Sequence, residues 1–99
     1  MPGQYNVVAY ESLVIAGTAV ALTADSSHRV SFVGRLETAQ VRYRGDGTAP
    51  TVSEGKLMEV GDIIVLSQSE IVRTQFIRTS DTSGVLKGEY YDAAPSELI

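Results

Sequence analysis

The chain has 99 residues, 43% of them hydrophobic and 20% charged, which suits one ordinary globular domain and not a disordered chain. A net charge of −4 argues against any role built on non-specific attraction to nucleic acid, and the absence of cysteine excludes disulfides, thiolate metal sites and cysteine nucleophiles. With no Trp and only two Phe, the core has to be filled mostly by Val, Ile, Leu and Ala, and burial between subunits is an expected extra source of stability.

Met1 to Gln4 lacks the basic and long apolar stretches of a secretion signal. The longest apolar-leaning stretch, 13–24, is interrupted by Gly17, Thr18 and Thr23 and is too short for a bilayer, so a soluble chain with no membrane partner is expected. Period-two patterning then predicts strands, and no window carries a convincing helical stripe. Residues 5–10 form a first strand, with 13–16 either continuing it or entering a loop, and 19–23 form a second. A polar turn at 25–28 precedes an alternating segment, 29–36, with Val30 and Phe32 on one side. Glu37 and Thr38 make a tight connection or bulge before 39–44, so these two segments are a candidate hairpin.

Val41 and Tyr43 alternate with Arg42 and Arg44 and lead into a loop shaped by Gly45-Asp46-Gly47, where glycine takes positive φ cheaply, and by Pro50, which stiffens the exit. Residues 56–58 are a short strand, Val60-Gly61-Asp62 a turn, and 63–66 an aliphatic run that reads as fully buried. Residues 72–78 and 84–91 are the last strands, separated by a polar turn at 80–83. The expected fold is therefore all-β: a small β-sandwich or barrel of jelly-roll type with about eight short antiparallel strands. It forms a single domain over 1–99, with a core over about 5–91 and extended N- and C-terminal arms. The C-terminal arm, 92–99, ends in Leu98 and Ile99, a candidate docking segment for a neighbouring subunit.

The candidate chemical motifs are turns and strand faces. His28 sits in a serine-rich turn, and Asp25 and Ser27 are too close to it in sequence to form a triad. Asp46 with Asp62 or Glu54 lacks the spacing of a calcium loop. Glu89 and Asp92 flank Tyr90 and Tyr91, but alternation of Lys87 and Glu89 on an outer strand face explains them without a glycosidase pair. Gly45-Asp46-Gly47 and Gly61-Asp62 have neither the spacing nor the context of phosphate loops. Arg44-Gly45-Asp46, the tripeptide of integrin ligands, is accounted for by a strand end and its turn. These readings predict a protein that is not an enzyme, with no cofactor, no metal and no nucleic-acid partner.

The run Val41-Arg42-Tyr43-Arg44-Gly45-Asp46-Gly47-Thr48-Ala49-Pro50-Thr51, with Gly55 and with Gly61-Asp62 before an aliphatic strand, resembles small structural proteins of tailed-bacteriophage virions. Thr74-Gln75-Phe76-Ile77-Arg78 and Val85-Leu86-Lys87-Gly88-Glu89-Tyr90-Tyr91 extend the likeness, which spans about 29–91. The resemblance implies a non-enzymatic capsid decoration (cement) protein, or another small head or tail component, localised to the virion and assembled in the host cytoplasm. Its implied partners are further copies of itself, as a homotrimer, and the major capsid protein or another virion protein. The contact surface expected on that reading includes Arg42, Arg44, Asp46, Thr48, Pro50, Arg73, Arg78, Leu98 and Ile99. The alternative is a small carbohydrate- or ligand-binding jelly-roll module that uses Tyr10, Tyr43, Tyr90 and Tyr91 as stacking platforms.

Overall fold

The computed structural model describes residues 6–23 and 29–97. Eight strands among them are β1 (Val7–Ile15), β2 (Val20–Ala21), β3 (Ser31–Glu37), β4 (Val41–Arg44), β5 (Lys56–Met58), β6 (Ile63–Ser67), β7 (Gln75–Arg78) and β8 (Gly84–Tyr91). They form two four-stranded sheets, ordered β1-β8-β3-β6 and β2-β7-β4-β5, and every pairing is antiparallel. First pairs with last, second with seventh, third with sixth and fourth with fifth. A long antiparallel ribbon folded at the β4–β5 connection and rolled so that its pairs alternate between sheets gives this order, in keeping with the jelly-roll expectation.

Alternation supplies the core. Phe32, Leu36, Leu86 and Tyr90 from the first sheet face Val41, Met58 and Phe76 from the second, all of them buried. The sequence points to an aliphatic filling, yet aromatic rings hold the centre: Phe32 and Tyr90 pack with centroids 5.0 Å apart. Two glycines make room for them. Gly34 and Gly88 are cross-strand partners, and a Cβ on Gly88 would lie 2.3 Å from the Val33 carbonyl oxygen and 2.5 Å from the Phe32 ring.

The Tyr90 hydroxyl donates to Glu11 Oε1 at 2.5 Å, and Glu11 also accepts from Thr23 N and Thr23 Oγ1. The Arg29 guanidinium lies 4.4 Å from the Tyr90 ring centroid. Burial, followed by the hydrogen bond and charge of Glu11, pushes the Tyr90 phenol well above its ordinary value.

Several expectations change. Residues 29–36 and 39–44 are not a hairpin: β3 lies in the first sheet and β4 in the second. Thr38 takes a positive φ of 80°, Ala39 N donates to Glu37 O at 2.9 Å, and this tight turn carries the chain from one sheet to the other. Leu36 and Val41 consequently both face the core. Residues 72–78 are not one strand, because Val72 and Arg73 end a helix, α1 (Gln68–Arg73), and only Gln75–Arg78 pair in β7. Glu70 accepts the Ser67 backbone N–H at 2.8 Å, which fixes the helix start, and Ile71 is its buried residue. The β-branched Ile71-Val72 pair imitates a strand, whereas the helix start rests on one side chain reaching back three residues.

The run 63–66 is not buried throughout: Ile64 and Leu66 face the core, while Ile63 and Val65 are exposed. The second strand shortens to Val20–Ala21, and β1 absorbs both candidate N-terminal runs. In the C-terminal segment, residues 92–97 lie back on the body: Asn6 N donates to Asp92 Oδ1, Ser31 Oγ donates to Ala93 O, and Pro95–Glu97 form a 3-10 turn. Leu98, Ile99, residues 1–5 of the N-terminal arm and the turn around His28 lie outside the described residues.

Candidate functional site

The β4–β5 loop, 45–55, is held by three arginines from two elements. Arg42, on the outer face of β4, donates through Nε to Val52 O and through Nη1 to Gly55 O, both at 2.9 Å. Arg44, at the strand end, grips Asp46 with Nε–Oδ1 at 3.2 Å and Nη2–Oδ2 at 2.5 Å. Arg73, at the end of α1, donates to the Asp46 carbonyl at 3.0 Å. Inside the loop, Thr51 and Glu54 exchange backbone hydrogen bonds, and Gly47 and Gly55 adopt positive φ values of 86° and 135°. The Arg44 hydrogen bonds and the Thr48 backbone N–H hold the Asp46 carboxyl below its ordinary range, at about 2, and the same pairing raises the Arg44 guanidinium.

The loop is thus shaped in advance, with Thr48, Ala49, Thr51, Val52 and Ser53 exposed. Beside it, a cleft of about 820 Å³ opens between β4, β5 and the helix, lined by Tyr43, Arg44, Glu54, Lys56 and Glu70 among others. Its lining holds the carboxylates Asp46, Glu54 and Glu70 and the cations Arg44 and Lys56. The groups of the Arg44-Gly45-Asp46 tripeptide are paired with each other rather than offered outward.

The fold therefore gathers Arg42, Arg44, Asp46, Thr48, Pro50 and Arg73 around one loop, although their sequence positions span 42–73. Pro50, expected as a contact residue, is buried inside the loop, where its ring carbons fill the space beside Gly55. Arg78 does not join the group. It sits at the other end of β7, paired with Val41, and donates to Ser83 Oγ at 3.3 Å.

A second surface is the outer face of the first sheet, of which the sequence shows only the alternation of Lys87 and Glu89. Tyr10, Val14, Ile63 and Val65 stand exposed there around the charged residues Arg35, Glu37, Lys87 and Glu89. A shallow hollow of about 310 Å³ runs between Tyr10, Tyr91, Glu89, Lys87, Arg35 and Ile63. Its legible signal was the alternation of 63–66, hidden because both faces of β6 carry aliphatic residues. Of the four tyrosines considered as platforms, Tyr90 is buried and Tyr43 packs half-buried on Phe76 at 5.8 Å, which leaves Tyr10 and Tyr91 on this face.

Among the described residues no group of three or more His, Asp or Glu side chains is placed to hold a metal ion, and no helix is long and apolar enough to cross a membrane. Comparison of the chain with protein families, with curated proteins and with solved structures finds no match.

Proposed function

We propose that the chain is a non-enzymatic structural protein of a tailed-bacteriophage virion that binds the outer surface of the assembled capsid as a decoration protein. The arginine-braced loop is the observation that carries this reading. Docking on a repeated protein surface gains when the contacting loop loses little entropy on binding, and bonds from Arg42, Arg44 and Arg73 fix this one beforehand. Val52, 57% exposed, gives it an apolar contact among polar neighbours. Many weak contacts repeated over a symmetric shell then add through multivalency.

The test is co-sedimentation of the purified chain with capsids that lack it. Wild-type chain pellets with heads, and Val52→Asp weakens that binding about tenfold, ~1.4 kcal/mol, with an unchanged thermal midpoint. A chain that never pellets with heads overturns the reading.

A further inference from the structure

In place of the trimer that the resemblance implies, we infer that two copies of this chain pair face to face through the outer surface of the first sheet, related by a two-fold axis running across the strands. This inference does not rest on capsid binding. The outward side chains fall into cross-strand rows. One row runs Tyr10, Glu89, Val33, Val65, and the next runs Ser12, Lys87, Arg35, Ile63. Tyr91 lies one step beyond the first row, and Val85 with Glu37 one step beyond the second.

Three observations make the face unusual for a solvated surface. Ile63 is 65% exposed and Tyr10 61%, at opposite edges of the sheet. Arg35 and Lys87 are directly opposed across β3 and β8, where like charges destabilise. Lys87 is relieved by Glu37 at 3.4 Å, but Arg35 has no ion pair among the described residues.

An axis between the two central rows turns this pattern into its own complement. Glu89 of each copy comes over Lys87 of the other, with the other copy's Arg35 one strand away. Val65 comes over Ile63, and Tyr91 over Val85. The contact is isologous and closes at two copies.

The alternative two-fold, along the strands, sets Lys87 of one copy against Arg35 of the other. It also brings together the two raised C-terminal segments, which cover Ser31 at one end of each face. The crosswise axis instead sets each raised segment over Glu37, in the end row of the other face, and keeps the two segments at opposite ends of the interface. The twist of each sheet rotates the stack by roughly 30° and leaves the central pairs in register.

The size is adequate for a weak dimer. Four strands about 4.8 Å apart and five to nine residues long, at ~3.3 Å each, give a footprint of ~460 Å² per copy and about 900 Å² in total, just under the lower bound for specific interfaces.

Sedimentation velocity of the full chain over a range of concentrations tests this directly. The wild type sediments with the mass of two chains at high concentration. Ile63→Asp and Lys87→Glu each raise the dimer dissociation constant at least about tenfold, with thermal unfolding of the monomer little changed. The decisive variant is the double exchange Lys87→Glu with Glu89→Lys, which rebuilds the crossed ion pairs and restores the dimer to within about threefold of wild type. A wild-type monomer at every concentration, a trimer, a dimer indifferent to Ile63→Asp, or a double variant as weak as the single ones overturns the inference. Failure on capsids with an intact dimer would count against the proposed function alone.

Discussion

The two sheets of this sandwich treat their outer faces differently. On the second sheet, outward-facing Ile77 is only 9% exposed, and its cross-strand neighbour Arg42 is bound to carbonyls of the 45–55 loop. On the first sheet the equivalent surface stays open, with Ile63, Val65, Tyr10 and Val14 in solvent. One face is tied to a segment of its own chain; the other offers a mixed apolar and charged surface to something else. The contrast shows that alternation along a strand tells which residues leave the core but not what meets them outside it.

The largest break in this comparison comes from inside the first sheet. Gly88→Ala forces a Cβ against the Val33 carbonyl and the Phe32 ring, so the open face should lose its flat support. We expect a loss of about 3 kcal/mol or more in denaturant unfolding, at the upper end for overpacking because one of the neighbours is backbone. An unchanged midpoint would show that the sheet accommodates the methyl group. Next in size, Tyr90→Phe leaves Glu11 with its Thr23 donors but without the phenol, and should cost about 1–3 kcal/mol in the same measurement.

The same contact predicts an alkaline limit. The Tyr90 phenol is raised in the folded state, so its contribution is fully present below the ordinary tyrosine value, about 10, and declines as pH rises above it. Unfolding midpoints measured from pH 8 to 11 should fall in the wild type and fall less steeply in Tyr90→Phe, with parallel curves counting against the account.

Smaller effects belong to the loop-bonded face of the second sheet. Arg42→Ala removes two charge-assisted hydrogen bonds to the loop and should cost about 1–2 kcal/mol. It should also speed proteolytic cleavage within 45–55 while leaving amide exchange in the first sheet unchanged. Equal acceleration in both sheets would mean that the loop is no separate unit.

Smallest is the acid response of Asp46. Its carboxyl is lowered to about 2, so its pairing is fully present above the ordinary aspartate value and is lost as pH falls toward 2. Carboxyl chemical shifts should place its titration at about 2, and Arg44→Gln should raise it while the Thr48 N–H bond keeps it lowered.

Part of the loop was legible beforehand because its chemistry is local. Gly47 takes the positive φ expected of the Gly45-Asp46-Gly47 turn, whereas the pairing of Arg44 with Asp46, in place of a contact outside the chain, and the positive φ of Gly55 appear only in the structure. Arg73 is an expected contact residue, but its bond to the Asp46 carbonyl depends on a helix that period-two alternation does not signal. The open face was harder to read. Glu89, Lys87, Arg35 and Ile63 come from three strands, and their neighbourhood exists only once register is set.

By itself the sequence determined an all-β chain, the turns at 45–47, 60–62 and 80–83, and a core built by alternation, because backbone preference and side-chain period act over a few residues. Only the tertiary structure decided that β3 and β4 part into different sheets, that Tyr90 is buried against Glu11, and which outer face is bonded to the 45–55 loop. Those outcomes depend on residues up to 79 positions apart, and such contacts are set by how the ribbon rolls and not by any local signal.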